Sequence, residues 1–222
     1  MVTTVYIVRH CEAEGNVKGV FQGKTDFDIS EKGKKQLEKL AERFRDIKLD
    51  VIYSSPLRRA FLTAKAVTKH HLLPINFEAD LTEIDGGDME GKPWSDLDKL
   101  FPNEYYFWKN DFSKFAAPNG ESVSEVYNRT TEAFNRIIDV NNGKAIGIFS
   151  HGCAIRILMC YIKSIPLERI EEVLWSDNTA ITCVQISENG KMKIVYENDY
   201  VHIMNNEETK ANHMWWGEQK SP

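Results

Sequence analysis

The chain has 222 residues, a formal charge of −5, and 42% hydrophobic against 27% charged residues. This composition is typical of a globular protein with a buried core, and the acidic balance argues against a nucleic acid partner. The sequence has no apolar run near the roughly 20 residues of a membrane span and no signal-peptide pattern at its start, which argues against a membrane partner.

The first half of the chain alternates short apolar runs with amphipathic segments. Thr4–Val8 is rich in Val, Ile and Tyr and predicts a buried strand. Glu31–Lys48 has helical spacing of its apolar residues, with Ser30 as the expected N-cap. The same alternation predicts a strand at Val51–Tyr53, a helix at Leu57–His70 and a strand at Ile75–Glu78.

The segment Asp85–Asn119 interrupts this rhythm with Gly, Pro and an aromatic cluster, and it predicts a cap of short helices and loops over one end of the sheet. Beyond it, Ser122 and Glu125 form a capping-box pattern that opens a helix to about Val140. The remaining expected elements are a strand at Ala145–Phe149, a helix at Ala154–Lys163 and a hairpin of Ala180–Ile186 with Lys191–Glu197.

This order of elements predicts the fold class and the domain organisation. Strands that alternate with helices favour an α/β fold, a three-layer αβα sandwich with a mainly parallel sheet and a cap insertion. Without an internal repeat or a linker, we expect a single domain over residues 1–204 and a tail over 205–222. In that tail we expect Trp215 and Trp216 to dock on the body of the protein.

Chemically active residues follow each predicted strand of the parallel sheet, where ligands bind in such folds. Arg9 and His10 follow the first strand, Arg58 and Arg59 the second, Glu83 the third and His151 the fourth. Arginine matches phosphate oxygens, imidazole is a nucleophile near neutral pH, and a carboxyl group can exchange a proton with the leaving oxygen. The set therefore predicts phosphoryl transfer.

No metal or other cofactor is implied by the sequence. The pattern lacks a tight His and carboxylate cluster with ligand spacing, and the four cysteines are scattered without CxxC spacing. We expect these cysteines to be reduced thiols, which favours a cytoplasmic protein.

Five ordered blocks of the sequence resemble the histidine phosphatase, or phosphoglycerate mutase-like, superfamily. They are Arg-His-Cys-Glu from Arg9, Ser-Ser-Pro-Leu-Arg-Arg-Ala from Ser54, Leu-Thr-Glu-Ile from Leu81, Gly-Glu-Ser from Gly120 and Ser-His-Gly from Ser150. The resemblance implies that the chain hydrolyses a phosphate monoester through a phosphohistidine intermediate. The implied substrate is a small phosphorylated metabolite.

The resemblance also implies roles for individual residues. His10 matches the nucleophile, and Arg9, Arg59 and His151 match the phosphate pocket, Arg59 being preferred to Arg58 because it precedes Ala60. Glu83 matches the general acid and base, with Glu90 and Asp85 as rivals. The further substrate or phosphate contacts implied are Asn16, Gln22, Gly23 and Gly152.

One residue departs from the family pattern: Cys11 stands where the family usually has Gly after the nucleophile. One interpretation is that the local backbone accepts a side chain. The other is that Cys11 lines the pocket and makes the enzyme sensitive to oxidants or thiol reagents.

Two other functions stay open from the sequence. A cofactor-dependent phosphoglycerate mutase shares the nucleophile, but the cap offers four lysines, no arginine and many aromatic residues. Such a cap favours hydrolysis, either of esters with an apolar or aromatic part or of a broad range of esters. The aromatic residues also fit the core of the cap itself. A non-catalytic module that binds a phosphate ligand is the third reading, and the complete set of catalytic residue types argues against it.

Overall fold

A computed structural model describes residues 1–204 as a six-stranded sheet between two layers of helices. The expected docking of Trp215 and Trp216 lies outside the described residues. The strands are β1 (Thr3–Arg9), β2 (Val51–Ser54), β3 (Ile75–Phe77), β4 (Ala145–Ser150), β5 (Ile181–Ile186) and β6 (Met192–Asp199).

The sheet has the strand order β3-β2-β4-β1-β5-β6. The first four strands in this order pair in parallel, whereas β5 runs antiparallel to β1 and β6 antiparallel to β5. The predicted mainly parallel sheet and C-terminal hairpin are both confirmed. Arg9 pairs with Ser150 and Ser54 with Phe149, so β1, β4 and β2 end level with one another.

The helices cover both faces of this sheet. They are α1 (Glu14–Lys18), α2 (Glu31–Arg43), α3 (Arg58–Val67), α4 (Leu97–Leu100), α5 (Pro102–Asn110), α6 (Val123–Val140), α7 (Gly152–Lys163) and α8 (Val201–Met204). Within residues 1–204, none of them is long and apolar enough to cross a membrane.

Alternation along the strands explains the three layers. In β1, Ile7 belongs to the core under α6 and α7, whereas Val8 belongs to the core under α2 and α3. Because successive strand residues point to opposite faces, both faces of β1 are apolar and both need a helical cover. The αβα sandwich predicted from the element order is therefore confirmed.

The cap is built from short pieces, as expected. Between Asp85 and Asn119 lie α4, α5 and three 3₁₀ turns at Gly87–Met89, Trp94–Asp96 and Phe112–Lys114.

The predicted capping box of α6 is present, since the Ser122 hydroxyl accepts from the Glu125 N–H and the Glu125 carboxylate accepts from the Ser122 N–H.

Helix ends were less predictable than helix positions. The helix expected over Glu31–Lys48 ends at Arg43, because the chain turns there to enter β2, yet Phe44 in the turn stays buried in the core. The sequence analysis also missed α1, α8 and the 3₁₀ segment Leu167–Glu172. These segments are too short to show helical periodicity.

Candidate active site

The level ends of β1 and β4 bring two histidines together. His10 follows β1 directly, and its backbone N–H donates to the carbonyl oxygen of Ser150 at 3.0 Å. His151 follows β4 and caps the N-terminus of α7. The two imidazole rings lie with their centroids 5.2 Å apart. Neighbouring parallel strands thus place side chains from distant parts of the chain in one site, as predicted.

His10 is almost fully buried, with 3% of its surface exposed. Its Nδ1 lies 2.6 Å from the carbonyl oxygen of Cys11. Because a carbonyl only accepts, Nδ1 carries the hydrogen and Nε2 keeps its lone pair. Burial lowers the pKa of the His10 imidazole well below its usual range, and the positive charges of Arg59 and Arg9 lower it further. His10 is therefore a neutral imidazole whose Nε2 carries a lone pair.

Arg9 is the last residue of β1, directly before His10, and its side chain is buried. Its Nη1 donates to the carbonyl oxygen of Ser176 in the loop before β5. Burial lowers the pKa of Arg9 to about 10, although the nearby carboxylates of Glu83 and Asp177 act in the opposite direction. Arg9 thus stays a cation at neutral pH inside a region of low dielectric.

Arg59, in the first turn of α3, is the second buried cation, with no exposed surface. Its Nη2 donates to the carbonyl oxygen of Gly23 at 2.7 Å and its Nη1 to that of Thr25 at 3.1 Å. Its Nε has no hydrogen-bond partner among the described residues. Burial lowers its pKa to about 10, so Arg59 remains charged. Arg58 instead lies at the surface and pairs with Asp28 at 3.0 Å, which supports the choice of Arg59.

His151 is fully buried and has one partnered ring nitrogen. Its Nε2 lies 2.8 Å from the hydroxyl of Ser55, which also accepts from the Leu57 N–H at 3.3 Å. Its Nδ1 has no partner in the described part of the chain. Burial lowers the pKa of His151 well below its usual range, and the charge of Arg59 adds to this effect. Arg59 and His151 are not themselves in the lining of the pocket beside His10. Native proteins seldom leave buried polar atoms unpartnered, so Nδ1 of His151 and Nε of Arg59 are candidate ligand contacts from just behind that lining.

Glu83 joins the site through the N-terminus of α7. Its carboxylate accepts hydrogen bonds at 3.0 Å from the backbone N–H groups of Ile84, Cys153 and Ala154. These three donors fix the carboxylate in place, and Glu83 lines the same pocket as His10.

The two rival carboxylates are occupied elsewhere. Glu90 accepts from four backbone N–H groups, those of Gly23, Lys24, Thr25 and Gly86. Asp85 pairs with Lys24 at 3.2 Å and accepts from the Gly87 N–H. Neither lines the pocket, and both shape the loop that carries Gly23.

The pocket opens between the nucleophile and the cap. Its lining consists of Arg9, His10, Gly15, Asn16, Gly19, Val20, Phe21, Gln22, Glu83, Ile84, Trp94, Trp108, Cys153 and Trp175. Asn16 and Gln22 were both predicted as substrate contacts, and both lie in this lining. The Gln22 amide is buried, and its oxygen and nitrogen have no partners among residues 1–204. Gly15 makes room for it, since a Cβ there would lie 2.3 Å from Oε1 of Gln22.

Gly23 and Gly152, both predicted as substrate contacts, are not in the pocket lining. A Cβ at Gly23 would lie 2.2 Å from the carbonyl oxygen of Ile84, and a Cβ at Gly152 would lie 3.2 Å from Nε of Arg9. Because Gly23 has no side chain, its backbone, whose carbonyl binds Arg59, can lie close to Ile84. Gly152 likewise leaves room for the Arg9 guanidinium. Direct contact of either glycine with substrate stays a prediction.

Cys11 does not line the pocket, and that interpretation was wrong. Its side chain has no exposed surface and lies against α2, where a Cβ at Gly33 would be 3.4 Å from the Cys11 sulfur. Burial raises the pKa of the thiol to about 12. Cys11 does not have the positive φ that would require Gly, so the local backbone accepts a side chain, as the other interpretation held.

The aromatic residues of the cap divide between the pocket wall and the core. Trp94 and Trp108 lie with ring centroids 5.1 Å apart and line the pocket, whereas Phe112 and Phe115 are buried behind them. Both readings of the aromatic cluster therefore hold in part. Trp175, from outside the cap, completes the wall, and the guanidinium of Arg156 lies 4.6 Å from its ring centroid.

Several residues of the site were missed by the sequence analysis, among them Ser55, Ser176 and Trp175. Ser55 follows β2 in a quoted motif, so its position at a strand end was an available signal. Ser176 acts through its backbone carbonyl, which no side-chain pattern reveals. Within residues 1–204, no group of three or more His, Cys, Asp or Glu side chains could hold a metal ion.

Comparison with known proteins agrees with this geometry. Residues 5–199 match the profile of the Histidine phosphatase superfamily (branch 1). The chain is 32% identical to Phosphoserine phosphatase 1 of Hydrogenobacter thermophilus, over 82% of this chain and 86% of that protein. It is also 32% identical to Phosphoglycerate mutase-like protein 4 of Arabidopsis thaliana, over 90% and 86% of the two chains.

A solved structure shares the fold as well. YhfR of Bacillus stearothermophilus superposes with a TM-score of 0.86 at 30% identity, covering 90% of this chain and 98% of that one. The sequence match, the fold and the buried pair of histidines all indicate the same family. The chain is therefore a phosphomonoesterase of the histidine phosphatase superfamily.

Proposed function

We propose that the chain hydrolyses small phosphate monoesters by two in-line displacements at His10. The observation that carries this proposal is the Nδ1 hydrogen bond of His10 to Cys11, which leaves Nε2 as a neutral nucleophile at the pocket. In the first step Nε2 attacks phosphorus, the bond to the ester oxygen breaks, and a phosphohistidine forms. In the second step water attacks that phosphorus, and His10 leaves with the N–P electron pair.

Two arginines and one histidine hold the phosphoryl group in this mechanism. Arg9 and Arg59 supply fixed positive charge, and Nε of Arg59 is a donor without a partner among residues 1–204. In the His151 tautomer that we propose, Nε2 accepts from the Ser55 hydroxyl and the hydrogen is on Nδ1, which has no partner among the described residues and can donate to phosphate. Charge builds up on the equatorial oxygens in the transition state, and donors already in place stabilise it without reorganisation.

Glu83 transfers the proton in both steps. As an acid it protonates the leaving alkoxide, and as a base it then takes a proton from the attacking water. Its position in the pocket lining supports this role over Glu90 and Asp85, whose carboxylates are held by the loop around Gly23. The N–H groups at the start of α7 keep the carboxylate oriented throughout.

The pocket wall favours esters whose organic part is uncharged or aromatic. Trp94, Trp108 and Phe21 form an apolar side, and the Gln22 amide offers hydrogen bonds without charge. Apart from Arg9, the described lining contains no arginine or lysine that could pair with a substrate carboxylate. This argues against a phosphoglycerate mutase. Phosphoserine, which is named for several of the relatives, also carries a carboxylate and is therefore a substrate to be tested.

We place this activity in the cytoplasm. The support is chemical: Cys11, Cys153, Cys160 and Cys183 are all buried free thiols, which is usual for proteins of reducing compartments.

A panel of phosphate monoesters tests the proposal. We expect phosphate release from aryl and small apolar alkyl esters, slower release from esters that carry a carboxylate, and no interconversion of phosphoglycerates. A folded protein that releases no phosphate from any ester would support the non-catalytic phosphate-binding module, and phosphoryl exchange without release would support the mutase.

A further inference from the structure

The three residues that follow β1 leave the sheet, and side chains hold their peptide groups. The His10 carbonyl accepts from Nδ2 of Asn178 at 3.0 Å, the Cys11 N–H donates to Oγ1 of Thr63 at 3.0 Å, and the Glu12 N–H donates to Oε1 of Gln36 at 2.8 Å. These partners come from α3, α2 and the loop before β5. Each is buried, with at most 2% of its surface exposed.

These contacts determine the direction of the Cys11 carbonyl. That carbonyl belongs to the same planar peptide group as the Glu12 N–H, which Gln36 holds. The preceding peptide group is held at both ends, by Asn178 at the His10 carbonyl and by Thr63 at the Cys11 N–H. The acceptor of the His10 Nδ1 hydrogen therefore cannot turn away without breaking a buried hydrogen bond, which is costly.

Thr63 makes a second contact that links the nucleophile to the arginine helix. Its hydroxyl accepts from the Cys11 N–H and donates to the carbonyl oxygen of Arg59 at 2.7 Å, one helical turn earlier in α3. The side chain thereby ties the segment after His10 to the turn that carries Arg59. Valine has the same shape as threonine but can neither accept nor donate these hydrogen bonds, whereas serine keeps the hydroxyl that does both.

We propose that Thr63 and Gln36 are positioning residues for His10. They hold the peptide groups after the nucleophile, so that the Cys11 carbonyl keeps the hydrogen on Nδ1 and Nε2 points at the phosphorus. The proposal rests on the nucleophilic role of His10 given above. It assigns a function to two buried side chains that are not in the lining of the pocket.

Four variants separate positioning from packing. Thr63→Val removes the acceptor of the Cys11 N–H together with the donor to Arg59, and Gln36→Met removes the acceptor of the Glu12 N–H, both at nearly constant shape, whereas Thr63→Ser keeps the hydroxyl. Thr130→Val is the matched control, because Thr130 is also buried on a helix and donates to the carbonyl four residues earlier, but it lies on α6 and accepts no N–H from the segment after β1. For each variant, rapid quench measures the rate of phosphoenzyme formation, and competition measures the inhibition constant of inorganic phosphate.

Thr63→Val and Gln36→Met should slow phosphoenzyme formation about 10- to 100-fold, because small misplacements of a reacting group have effects of this size. The inhibition constant of phosphate should change less than about threefold, since ground-state binding is not removed. Thr63→Ser and Thr130→Val should keep the wild-type rate. In ¹⁵N spectra of the folded protein, the hydrogen should stay on Nδ1 of His10 in wild type and redistribute between the ring nitrogens in Gln36→Met.

Three results would overturn this inference: wild-type rates in both Thr63→Val and Gln36→Met, an equal loss in Thr130→Val, or a loss carried by phosphate affinity alone. If Thr63→Val does not fold, the rate of phosphoenzyme formation in Gln36→Met, compared with that of the wild type, tests the same inference. Failure of the underlying mechanism is recognisable separately, because wild-type protein would then form no phosphohistidine at all.

Discussion

The Nδ1 atom of His10 donates a hydrogen bond to the carbonyl oxygen of Cys11, the next residue in the chain, at 2.6 Å. This contact fixes the tautomer of the ring, since the carbonyl cannot donate. Burial and the charges of Arg59 and Arg9 act on the same ring and lower its pKa. A local backbone contact and two distant cations therefore produce a neutral imidazole whose Nε2 is available for attack.

The buried histidines predict how stability depends on pH. The pKa values of His10 and His151 lie well below 6.5 in the folded protein and near 6.5 in the unfolded chain. Below pH 6.5 the unfolded chain therefore binds more protons, and the free energy of unfolding falls as the pH falls. Each histidine contributes a slope of up to about 1.4 kcal/mol per pH unit.

Urea unfolding at pH 7.5, 6.5, 5.5 and 5.0 measures this dependence. A free energy of unfolding that stays level or rises from pH 6.5 to 5.0 would mean that the two imidazoles are not held neutral in the folded protein.

Glu83→Gln should change the dependence of rate on the leaving group. Alkyl esters need a proton on the leaving oxygen, so their hydrolysis should slow about 10²- to 10⁴-fold, whereas aryl esters should lose far less. The ratio of kcat/KM for a matched alkyl and aryl pair measures the effect.

Glu90→Gln is the control for this change, because it alters a carboxylate near the site that binds backbone N–H groups of the Gly23 loop. It should lower stability by roughly 1–3 kcal/mol and leave the alkyl-to-aryl ratio unchanged. A changed ratio in Glu90→Gln with a normal ratio in Glu83→Gln would transfer the acid role to Glu90.

The thiol of Cys11 should be unreactive in the folded protein. It is fully buried, and its pKa of about 12 leaves almost no thiolate at neutral pH. Iodoacetamide at pH 7.5 should leave both Cys11 and the activity unchanged, and should modify Cys11 only in denaturant. Peptide mass mapping checks both conditions. Rapid labelling of Cys11 in native protein, with loss of activity, would contradict the buried position.

Trp108→Ala should reduce the preference for aromatic esters. The Trp108 ring lines the pocket and also packs on Phe115 with centroids 4.8 Å apart, so its loss opens the apolar wall. We expect kcat/KM for an aryl ester to fall about tenfold relative to that for a small alkyl ester, an effect of the size of one aromatic contact.

Tyr106→Ala is the matched control for this substitution, since Tyr106 is an exposed aromatic residue of the same helix, α5. It should leave the ester preference unchanged. An equal shift in both variants would show that the cap as a whole, rather than the Trp108 ring, determines the preference.

The sequence predicted the sheet and the meeting of Arg9, His10 and His151 because one rule connects them. Residues after parallel strands meet at one edge, so Arg9, His10 and His151 could be brought together without knowing any distance. The partners of their peptide groups and rings could not be found this way. Gln36 and Asn178 lie on an amphipathic helix and in a loop, and nothing in their spacing shows which backbone N–H or carbonyl each one meets.

The position of Cys11 was open for a similar reason. From the sequence, its side chain could point to the pocket or to α2, and only the path of the backbone after β1 decides between them. The structure turns it towards Gly33, in the first turn of α2.

The site of phosphorylation tests the central claim most directly. Wild-type protein mixed with ³²P-labelled substrate and quenched should carry acid-labile, alkali-stable label on the peptide that contains His10, and His10→Ala should carry none while its circular dichroism spectrum shows that it is folded. Label on His151 or on any other residue, or undiminished label in folded His10→Ala, would contradict the account.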